Sequence, residues 1–419
     1  MRVNFKNTPF AKATYLLDKL EQAGYEAYFV GGSVRDTLLN LPIHDVDIAS
    51  SATPEEVESL FNHTVDLGKE HGTILVIYEK EPYEITTFRT EGAYSDNRRP
   101  DQVFFVKNLK EDTLRRDFTI NALAFDKEGR LYDYHQGQKD LNRHLIQAVG
   151  NPYARFKEDA LRMFRAVRFA TQLGFQIEDT TFEALKELSE NIEHISIERV
   201  RVELSKYLKG NYFPTHYHYL VKSGMLPYLP YFQLETTNSV FSQIAQDSIK
   251  YIEKGHTLSD EMAWYLLSYY MNLNIKETKG FLKQWTHSND FITKVINLRQ
   301  LYDDYIEYGE WSNRVIYQYS IEELLLMEEY LILTQKKENQ TVLHQKQALP
   351  IQTRRDIAVN GAEVMSLLKM TRGSSLIGEL LKLIEEHILI GQLDNNKADI
   401  EAFILQKVNS SPKRRELLD

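Results

Sequence analysis

The sequence predicts an α+β protein in which a small mixed-sheet head precedes a long helical region. From Thr14 to Gly150 helical and strand patterns alternate, whereas the periodicity after Pro152 is helical. A chain of 419 residues has room for two to four domains at roughly 150 residues each. We expect four parts, namely a head (1–152), a neck (153–210), a body (211–300) and a tail (301–419).

Composition excludes several classes of site. The chain has no cysteine, which excludes disulfides, thiolate zinc sites and cysteine nucleophiles. Its 50 basic and 60 acidic residues give a net charge of −10, which excludes a uniformly basic nucleic-acid-binding surface but not a local basic groove. No stretch reaches the roughly 18 apolar residues of a membrane span, and no signal peptide is recognisable. We therefore expect a soluble, cytoplasmic protein without membrane partners.

The head is predicted to combine one helix, a strand leading into a glycine turn, and a hairpin. The helix covers Thr14–Ala23 and stops at Gly24, and the first strand is Tyr25–Val30. Two β-rich runs, Gly72–Tyr78 and Tyr83–Phe88, are joined by a short turn and predict a hairpin. Further on we expect a strand at Val103–Val106, a polar loop at Glu91–Asp101, and helices at Tyr153–Leu173, Thr180–Leu188 and Ile197–Lys209.

The first candidate site is the segment VGGSVRD at 30–36, followed by DVD at 45–47. Glycine has no Cβ, so a ligand can approach the backbone N–H groups of Gly32 closely, with Arg35 one helical turn further on. If 45–48 is a strand, Asp45 and Asp47 point to the same face. Two adjacent carboxylates repel each other unless a divalent cation lies between them, and Mg²⁺ is the natural candidate. A tight turn followed by a solvated acidic loop is the alternative.

Two further segments carry clustered arginines. The segment RRDFTINA at 115–122 begins with Arg115 and Arg116, which are either surface cations or ligand contacts. In EDALRMFRAVRF at 158–169, a continuous helix places Asp159, Arg162 and Arg165 within an arc of about 120°. Arg168 then lies about half a turn from Asp159 and cannot share that face.

The pairing of Asp159 with Arg162 has two interpretations. One is an internal salt bridge. In the other, the carboxylate accepts from the amino group of a base and the guanidinium donates to the adjacent ring nitrogen, which selects cytosine and adenine over uracil and guanine.

Taken together, these segments resemble the class II tRNA nucleotidyltransferases, the CCA-adding enzymes. GGSVRDTLL with DVD, RRDFTINAL, EDALRMFRAVRFA and ISIERVRVELSKYL occur in the order of that family's head and neck motifs, over about residues 28–208. The resemblance implies a head like that of DNA polymerase beta. It also implies template-independent addition of the 3′-terminal CCA of tRNA from CTP and ATP, by in-line attack of the 3′-hydroxyl on the α-phosphate, with two metal ions and release of pyrophosphate.

The resemblance also assigns roles to individual residues. Asp45 and Asp47 are expected to be catalytic and to bind Mg²⁺, and Glu84 is a tentative third carboxylate. The nucleotide is expected to contact Gly32, Arg35, Arg116, Asp159, Arg162, Arg165 and Arg168, the last against the geometric objection above.

The remaining expectations concern partners and alternatives. The polar loop corresponds to one that is shortened in enzymes adding only CC, so its presence favours full CCA addition. LPIQTRRDIAVNGAEVM at 349–365 resembles the tail of Bacillus-type enzymes, which holds the tRNA elbow, and Lys413–Arg415 are candidate phosphate contacts. A homodimer is plausible by resemblance. A CC-only enzyme, a poly(A) polymerase and a non-catalytic RNA-binding protein are the alternatives.

Overall fold

The computed structural model describes residues 1–91, 103–232 and 234–410. Two compact units form, one of Met1–Ala263 with Phe281–Thr286 and one of Trp264–Gly280 with the chain from His287 onward. The four-part division remains a prediction. The polar loop and Lys413–Arg415 lie, in whole or nearly so, outside the described residues. In the described part of the chain, no helix is long and apolar enough to cross a membrane.

The first unit is built on a mixed seven-stranded sheet, as predicted. Its order is β3-β4-β5-β2-β1-β8-β9, in which β2 and β5 are parallel and the other neighbours antiparallel. The strands are β1 Ala27–Val30, β2 Asp47–Ser50, β3 Thr64–Gly68, β4 Thr73–Tyr78, β5 Glu81–Thr87, β6 Arg89–Glu91, β7 Val103–Phe105, β8 Leu123–Phe125, β9 Leu131–Asp133, β10 Leu145–Ile146 and β11 Gln176–Ile177.

Helices make up the rest of both units. The first unit contains α1 Pro9–Gln22, α2 Gly32–Leu38, α3 Pro54–Leu60, α4 Leu109–Leu114, α5 Gly137–Asn142, α6 Pro152–Glu158, α7 Leu161–Leu173, α8 Asp179–Glu187, α9 Ile197–Leu208, α10 Phe213–His216, α11 His218–Lys222 and α12 Leu234–Ile252. After them come α13 Asp260–Tyr270, α14 Ile275–Gln284, α15 Asn289–Tyr308, α16 Asn313–Gln318, α17 Ile321–Leu333, α18 Val342–Gln347, α19 Gly361–Leu367, α20 Ser375–Leu389 and α21 Lys397–Asn409. Short 3-10 turns lie at Lys69–His71, Thr119–Asn121, Ser189–His194, Leu226–Tyr228 and Arg354–Asp356.

The head sheet is packed on both faces, because successive side chains of a strand point to opposite sides. On one face Phe29 of β1 and Phe125 of β8 contact Phe5 and Phe10. On the other face Val30 belongs to a buried cluster with Ala49, Phe88, Leu109 and Ala124. The core therefore holds β1 rigidly at the point where it enters the glycine turn.

The predicted hairpin is confirmed. Strands β4 and β5 pair antiparallel from Thr73↔Thr86 to Tyr78↔Glu81. Glu79 and Lys80, the two residues of the turn, both have positive φ (50° and 68°). Such left-handed pairs form the two-residue turns whose twist matches that of the flanking strands.

The predicted continuous helix over Tyr153–Leu173 is wrong. Helix α6 ends at Glu158, Asp159 is extended (φ −136°, ψ 103°), and α7 starts at Leu161. The Asp159 carboxylate accepts the Leu161 N–H at 3.1 Å, a local bond that competes with helix continuation. The expectation that strands end at Pro152 also needs correction, since the short strand β11 pairs parallel with β10.

The second unit has an aromatic core. Tyr265 of α13, Tyr302 of α15 and Tyr330 of α17 contact one another, with ring centroids about 6 Å apart. Trp311, which follows α15, folds back on this helix and donates its indole N–H to the Leu301 carbonyl at 2.8 Å. Each of these aromatic side chains is buried, so part of the tyrosine content of the helical region forms a core.

We predict that Gly137→Ala destabilises the first unit. A Cβ at this position would lie 2.2 Å from the carbonyl oxygen of Thr119, whose turn is bonded to α5 through the Thr119 hydroxyl and Asp140. Overpacking of this kind costs about 1–3 kcal/mol, measurable as a lower free energy of unfolding in urea.

The matched control is Gly378→Ala in α20. A Cβ there meets no atom within 4 Å, so the helix should gain about 0.5–1 kcal/mol. Equal effects of the two substitutions would contradict the close packing of α5 on the Thr119 turn.

Candidate active site

The glycine turn places the backbone of Gly31 next to the carboxylate of Asp47. Strand β1 ends at Val30, which pairs with Asp47 of β2, and Gly31 follows with φ +75°. A Cβ on Gly31 would lie 3.4 Å from Asp47 Oδ2 and 3.8 Å from Arg116 Nη1. These distances are ordinary van der Waals contacts, so a side chain at 31 is disfavoured by the backbone conformation and not by lack of space. The double-glycine motif pointed to close approach, but Gly31 is not among the predicted site residues.

Asp45 and Asp47 are near neighbours, but only Asp47 belongs to a strand. Asp47 is the first residue of β2, whereas Asp45 belongs to the irregular segment before it and is exposed. The expectation that both are strand residues on one face is therefore wrong. The two carboxylates nevertheless line one cavity.

Asp47 is a largely buried carboxylate near two acidic side chains and one basic side chain. Burial, followed by the charges of Glu84 and Asp45, raises the pKa of Asp47 to about 6, against the lowering effect of Arg116. Glu84 lies on β5, as predicted, and is exposed. Within the described ranges, no three His, Asp or Glu side chains converge as a preformed cation site. Oxygen donors of this kind suit Mg²⁺, which commonly takes one or two protein carboxylates and completes its coordination with substrate phosphates.

The segment RRDFTINA forms a buried polar junction. Arg115 and Arg116 both pair with Asp112, at 2.8 and 3.2 Å, and Asp112 is fully buried. Asn121 accepts from Arg35 Nη1 at 2.8 Å and donates to Asp117 Oδ1 at 3.0 Å. One amide therefore connects α2 to the turn after α4, because it can accept and donate at once.

Asp117 is held ionised by its partners. Its carboxylate accepts from Arg165 at 2.8 Å and from the backbone N–H of Phe118 at 2.8 Å. Burial by itself raises the pKa of such a carboxyl, but the charge of Arg165 and the Asn121 hydrogen bond hold the pKa of Asp117 at about 2. Neither Asp117 nor Asn121 was predicted, although both lie inside the quoted motif.

Arg162, Arg165 and Arg168 lie three residues apart on α7, which places them within an arc of about 120°. Arg168 pairs with Glu203 of α9 at 2.8 Å, lies 3.5 Å from the centroid of the Phe169 ring, and is buried. Burial lowers the pKa of Arg168 to about 10, although Glu203 opposes this effect. The geometric objection to Arg168 was wrong, because Asp159 is not part of the same helix.

Asp159 and Arg162 do not pair with each other. Asp159 accepts two bonds from Arg199 of α9, at 2.8 and 3.3 Å. Arg162 pairs with Glu158 at 2.7 Å and donates to the Arg115 carbonyl at 2.9 Å. The salt bridge between Asp159 and Arg162, one of the two interpretations of the sequence, is therefore replaced by two ion pairs with separate partners. The partners Arg199 and Glu158 were not predicted. Arg199 lies 40 positions after Asp159, so helical spacing could not relate the two residues.

Two adjoining cavities are lined by the predicted site residues, and only Glu84 of this set lines neither. The carboxylate cavity, of about 590 Å³, is lined by Gly32, Ser33, Arg35, Asp36, His44, Asp45, Asp47, Arg168, Gln172, Lys206, Lys209, Gly210, Asn211 and Thr257. The arginine cavity, of about 530 Å³, is lined by Gly31, Gly32, Arg35, Asp47, Arg115, Arg116, Asp117, Asn121, Asp159, Arg162, Arg165, Arg168, Phe169 and Lys206. Their shared residues are Gly32, Arg35, Asp47, Arg168 and Lys206.

Comparison with known proteins gives a consistent result along the chain. A Poly A polymerase head domain matches residues 27–147, a probable RNA and SrmB- binding site of polymerase A matches 174–234, and a putative tRNA nucleotidyltransferase domain 2 matches 256–404. The CCA-adding enzyme of Enterococcus faecalis is 41% identical over 96% of this chain and 98% of its own length. This chain belongs to the CCA-adding enzyme family.

Further relatives agree with this assignment. The CCA-adding enzyme of Streptococcus mutans is 40% identical over 98% of this chain and 100% of its own. Among solved structures, the Bacillus stearothermophilus CCA-adding enzyme in complex with CTP has a TM-score of 0.83 at 32% identity, covering 97% of this chain and 99% of that one. The predicted α+β fold and family are thereby confirmed, including the C-terminal region for which the sequence motifs were less specific.

We predict that Asp117 stabilises the fold in a pH-dependent way. Because its folded pKa is about 2 and the unperturbed value is 3.8, its stabilising effect is complete above about pH 4 and is lost as pH falls towards 2. The free-energy difference between the wild type and Asp117→Asn should therefore shrink by about 2 kcal/mol over that interval, measured by urea unfolding.

Asp179→Asn is the control, since Asp179 is an exposed residue at the start of α8. Its difference from the wild type should change much less over the same pH range. A constant difference for Asp117→Asn would show that this carboxylate is not held ionised by Arg165.

Proposed function

We propose that this chain adds and repairs the 3′-terminal CCA of tRNA, with CTP and ATP as nucleotide substrates. The main support is the convergence of Asp45 and Asp47 with Asp159 and Arg162 on two adjoining cavities, in a chain of this family. The carboxylate cavity provides carboxylate oxygens as metal ligands beside the glycine turn. The arginine cavity provides acidic side chains that accept hydrogen bonds and basic side chains that donate them. That combination suits a nucleoside triphosphate, whose phosphates and base need different environments.

Asp45 and Asp47 are the residues proposed to hold Mg²⁺. The raised pKa of Asp47 supports this, because a cation would relieve the repulsion from Asp45 and Glu84. Bound Mg²⁺ would neutralise phosphate charge and make the primer hydroxyl a better nucleophile. Whether Glu84 also contacts a metal remains a prediction.

Asp159 and Arg162 are proposed to read the base. An ionised carboxylate has about four lone-pair sites, and the Asp159 carboxylate accepts two bonds from Arg199 and one from Leu161. One site is left for the amino group of cytosine or adenine. Arg199 holds the Asp159 carboxylate and Glu158 holds the Arg162 guanidinium, so that neither group has to be ordered when the nucleotide binds.

The proposed reaction transfers a nucleotidyl group. The 3′-hydroxyl oxygen of the tRNA forms a bond to the α-phosphorus, and the bond between that phosphorus and the bridging oxygen to the β-phosphate breaks. Pyrophosphate leaves with the bonding electron pair, and the hydroxyl proton passes to solvent. Gly32, Arg35, Arg116, Arg165 and Arg168 orient the triphosphate and sugar, because their positions are set by packing before substrate arrives.

The wider assignments are also proposals. The second unit would hold the tRNA elbow, with recognition largely through shape and backbone phosphates. A homodimer is tested by light scattering during size-exclusion chromatography, where a monomer mass would reject it. We place the protein in the cytoplasm, where its proposed substrates occur.

The deciding experiment is nucleotide addition to tRNA ending before, within and after CCA. With Mg²⁺, the products from CTP, from ATP and from both are resolved at single-nucleotide length. Growth by two C and one A, followed by arrest, is the expected outcome. Arrest at CC would indicate a CC-only enzyme, a long A ladder a poly(A) polymerase, and no addition a non-catalytic RNA-binding protein.

We predict that Asp47→Asn reduces addition by about 10³-fold, since loss of a metal ligand forfeits several kcal/mol of transition-state stabilisation. Addition is measured under single-turnover conditions, and far-ultraviolet circular dichroism confirms folding. Asp290→Asn, which removes an exposed carboxylate on α15, serves as the control and should leave addition unchanged. Full activity of Asp47→Asn would reject the metal assignment.

We predict that Asp159→Ala relaxes base choice. Loss of the carboxylate removes the acceptor for the base amino group, and one good bidentate contact is worth about 1–3 kcal/mol of discrimination. The ratio of kcat/KM for CTP over UTP should therefore fall by about ten- to hundredfold. An unchanged ratio would show that the base is read elsewhere.

A further inference from the structure

The arginines that line the arginine cavity each have a carboxylate partner. Within the described residues the shortest contacts are Arg35–Asp36 at 2.8 Å, Arg115–Asp112 at 2.8 Å, Arg116–Asp112 at 3.2 Å, Arg162–Glu158 at 2.7 Å, Arg165–Asp117 at 2.7 Å and Arg168–Glu203 at 2.8 Å. Six guanidinium groups thus face five carboxylates. Each carboxylate holds its guanidinium group in a fixed orientation. It also compensates most of the positive charge of that group.

Lys206 differs from these arginines. It lies on α9, is exposed, and lines both cavities, at the junction formed with Gly32, Arg35, Asp47 and Arg168. No carboxylate of the described chain lies within 4 Å of its ammonium group. Lys209, one turn further on, lines only the carboxylate cavity and pairs with Asp260 at 2.7 Å. Lys206 is therefore the cation of the junction whose charge is least compensated.

A nucleoside triphosphate that reaches from one cavity to the other must cross this junction. If its base lies at Asp159 and Arg162 and its α-phosphate near Asp47, the β- and γ-phosphates extend past the residues that the two cavities share. These two phosphates carry most of the negative charge of the nucleotide. A lysine is a compact, strongly hydrated point charge on a flexible stem, which suits a group that must first hold and then release a polyanion.

We propose that Lys206 binds the β- and γ-phosphates of the incoming nucleotide and then the pyrophosphate product. The proposal rests on the function proposed above and adds a phosphate contact from α9 to those of the head. Lys206 acts on both nucleotides alike, because CTP and ATP have the same triphosphate. It takes no part in base choice, which the other end of the arginine cavity determines.

The test compares Lys206→Ala, Lys206→Arg and the wild type in tRNA extension with CTP or ATP. A charge-assisted hydrogen bond at this position predicts that KM for both nucleotides rises about tenfold in Lys206→Ala. KM for tRNA and the CTP-over-UTP ratio should stay constant. Lys206→Arg, which keeps the charge, should recover most of the affinity. Lys222→Ala, on α11 outside both cavities, is the matched control and should behave as wild type.

A second readout separates phosphate binding from effects on chemistry. Inhibition of extension by inorganic pyrophosphate with Mg²⁺ should weaken about tenfold in Lys206→Ala and much less in Lys206→Arg. A change in KM for tRNA instead of nucleotide would overturn the proposal in favour of a primer contact. Unchanged KM and pyrophosphate inhibition would also overturn it. Lack of tRNA extension by the wild type would reject the proposed function itself.

Discussion

The buried carboxylate of Asp117 is the contact on which the geometry of both cavities depends. It accepts from Arg165 of α7 and from Asn121, which in turn accepts from Arg35 of α2. One carboxylate thereby fixes the glycine turn relative to helix α7. Because 33% of the Arg165 side chain is exposed, removing one partner should cost less than the about 3–5 kcal/mol that is typical of a fully buried ion pair. The relative position of the glycine turn and the arginine face of α7 thus rests on a charge that must remain paired.

Pairing of the cavity arginines also explains how an acidic chain can offer a site for a polyanion. Unpaired buried guanidinium groups would be costly, because each must leave water without compensation. With partners such as Asp112, Glu158 and Glu203, they keep fixed orientations and remain buried or partly buried. Of the two carboxylates proposed to bind Mg²⁺, Asp45 lines only the carboxylate cavity and Asp47 lies at the shared junction. In the proposed function, the paired arginines orient the substrate, whereas Mg²⁺ and Lys206 neutralise its charge.

Local patterns were read correctly wherever the nearest neighbours decide the structure. The hairpin of β4 and β5, the end of α1 before Gly24, and the limits of α8 and α9 all follow from periodicity and turn residues. The helix break at Asp159 was missed, because the run from Tyr153 to Leu173 has uninterrupted helical spacing. The helix ends before an aspartate whose carboxylate accepts the Leu161 N–H and pairs with Arg199, forty positions further on.

The sequence alone determined the family and the fold class, and it pointed to the residues that are proposed to carry the chemistry. It did so because those residues lie in four short motifs whose spacing is visible without a structure. Tertiary structure alone decided which charges meet. The pairing of Asp159 with Arg199, the link from Arg35 through Asn121 to Asp117, and the place of Lys206 between two cavities all join segments that are distant in the chain. Periodicity describes one element at a time, whereas ion pairs depend on how separate elements pack.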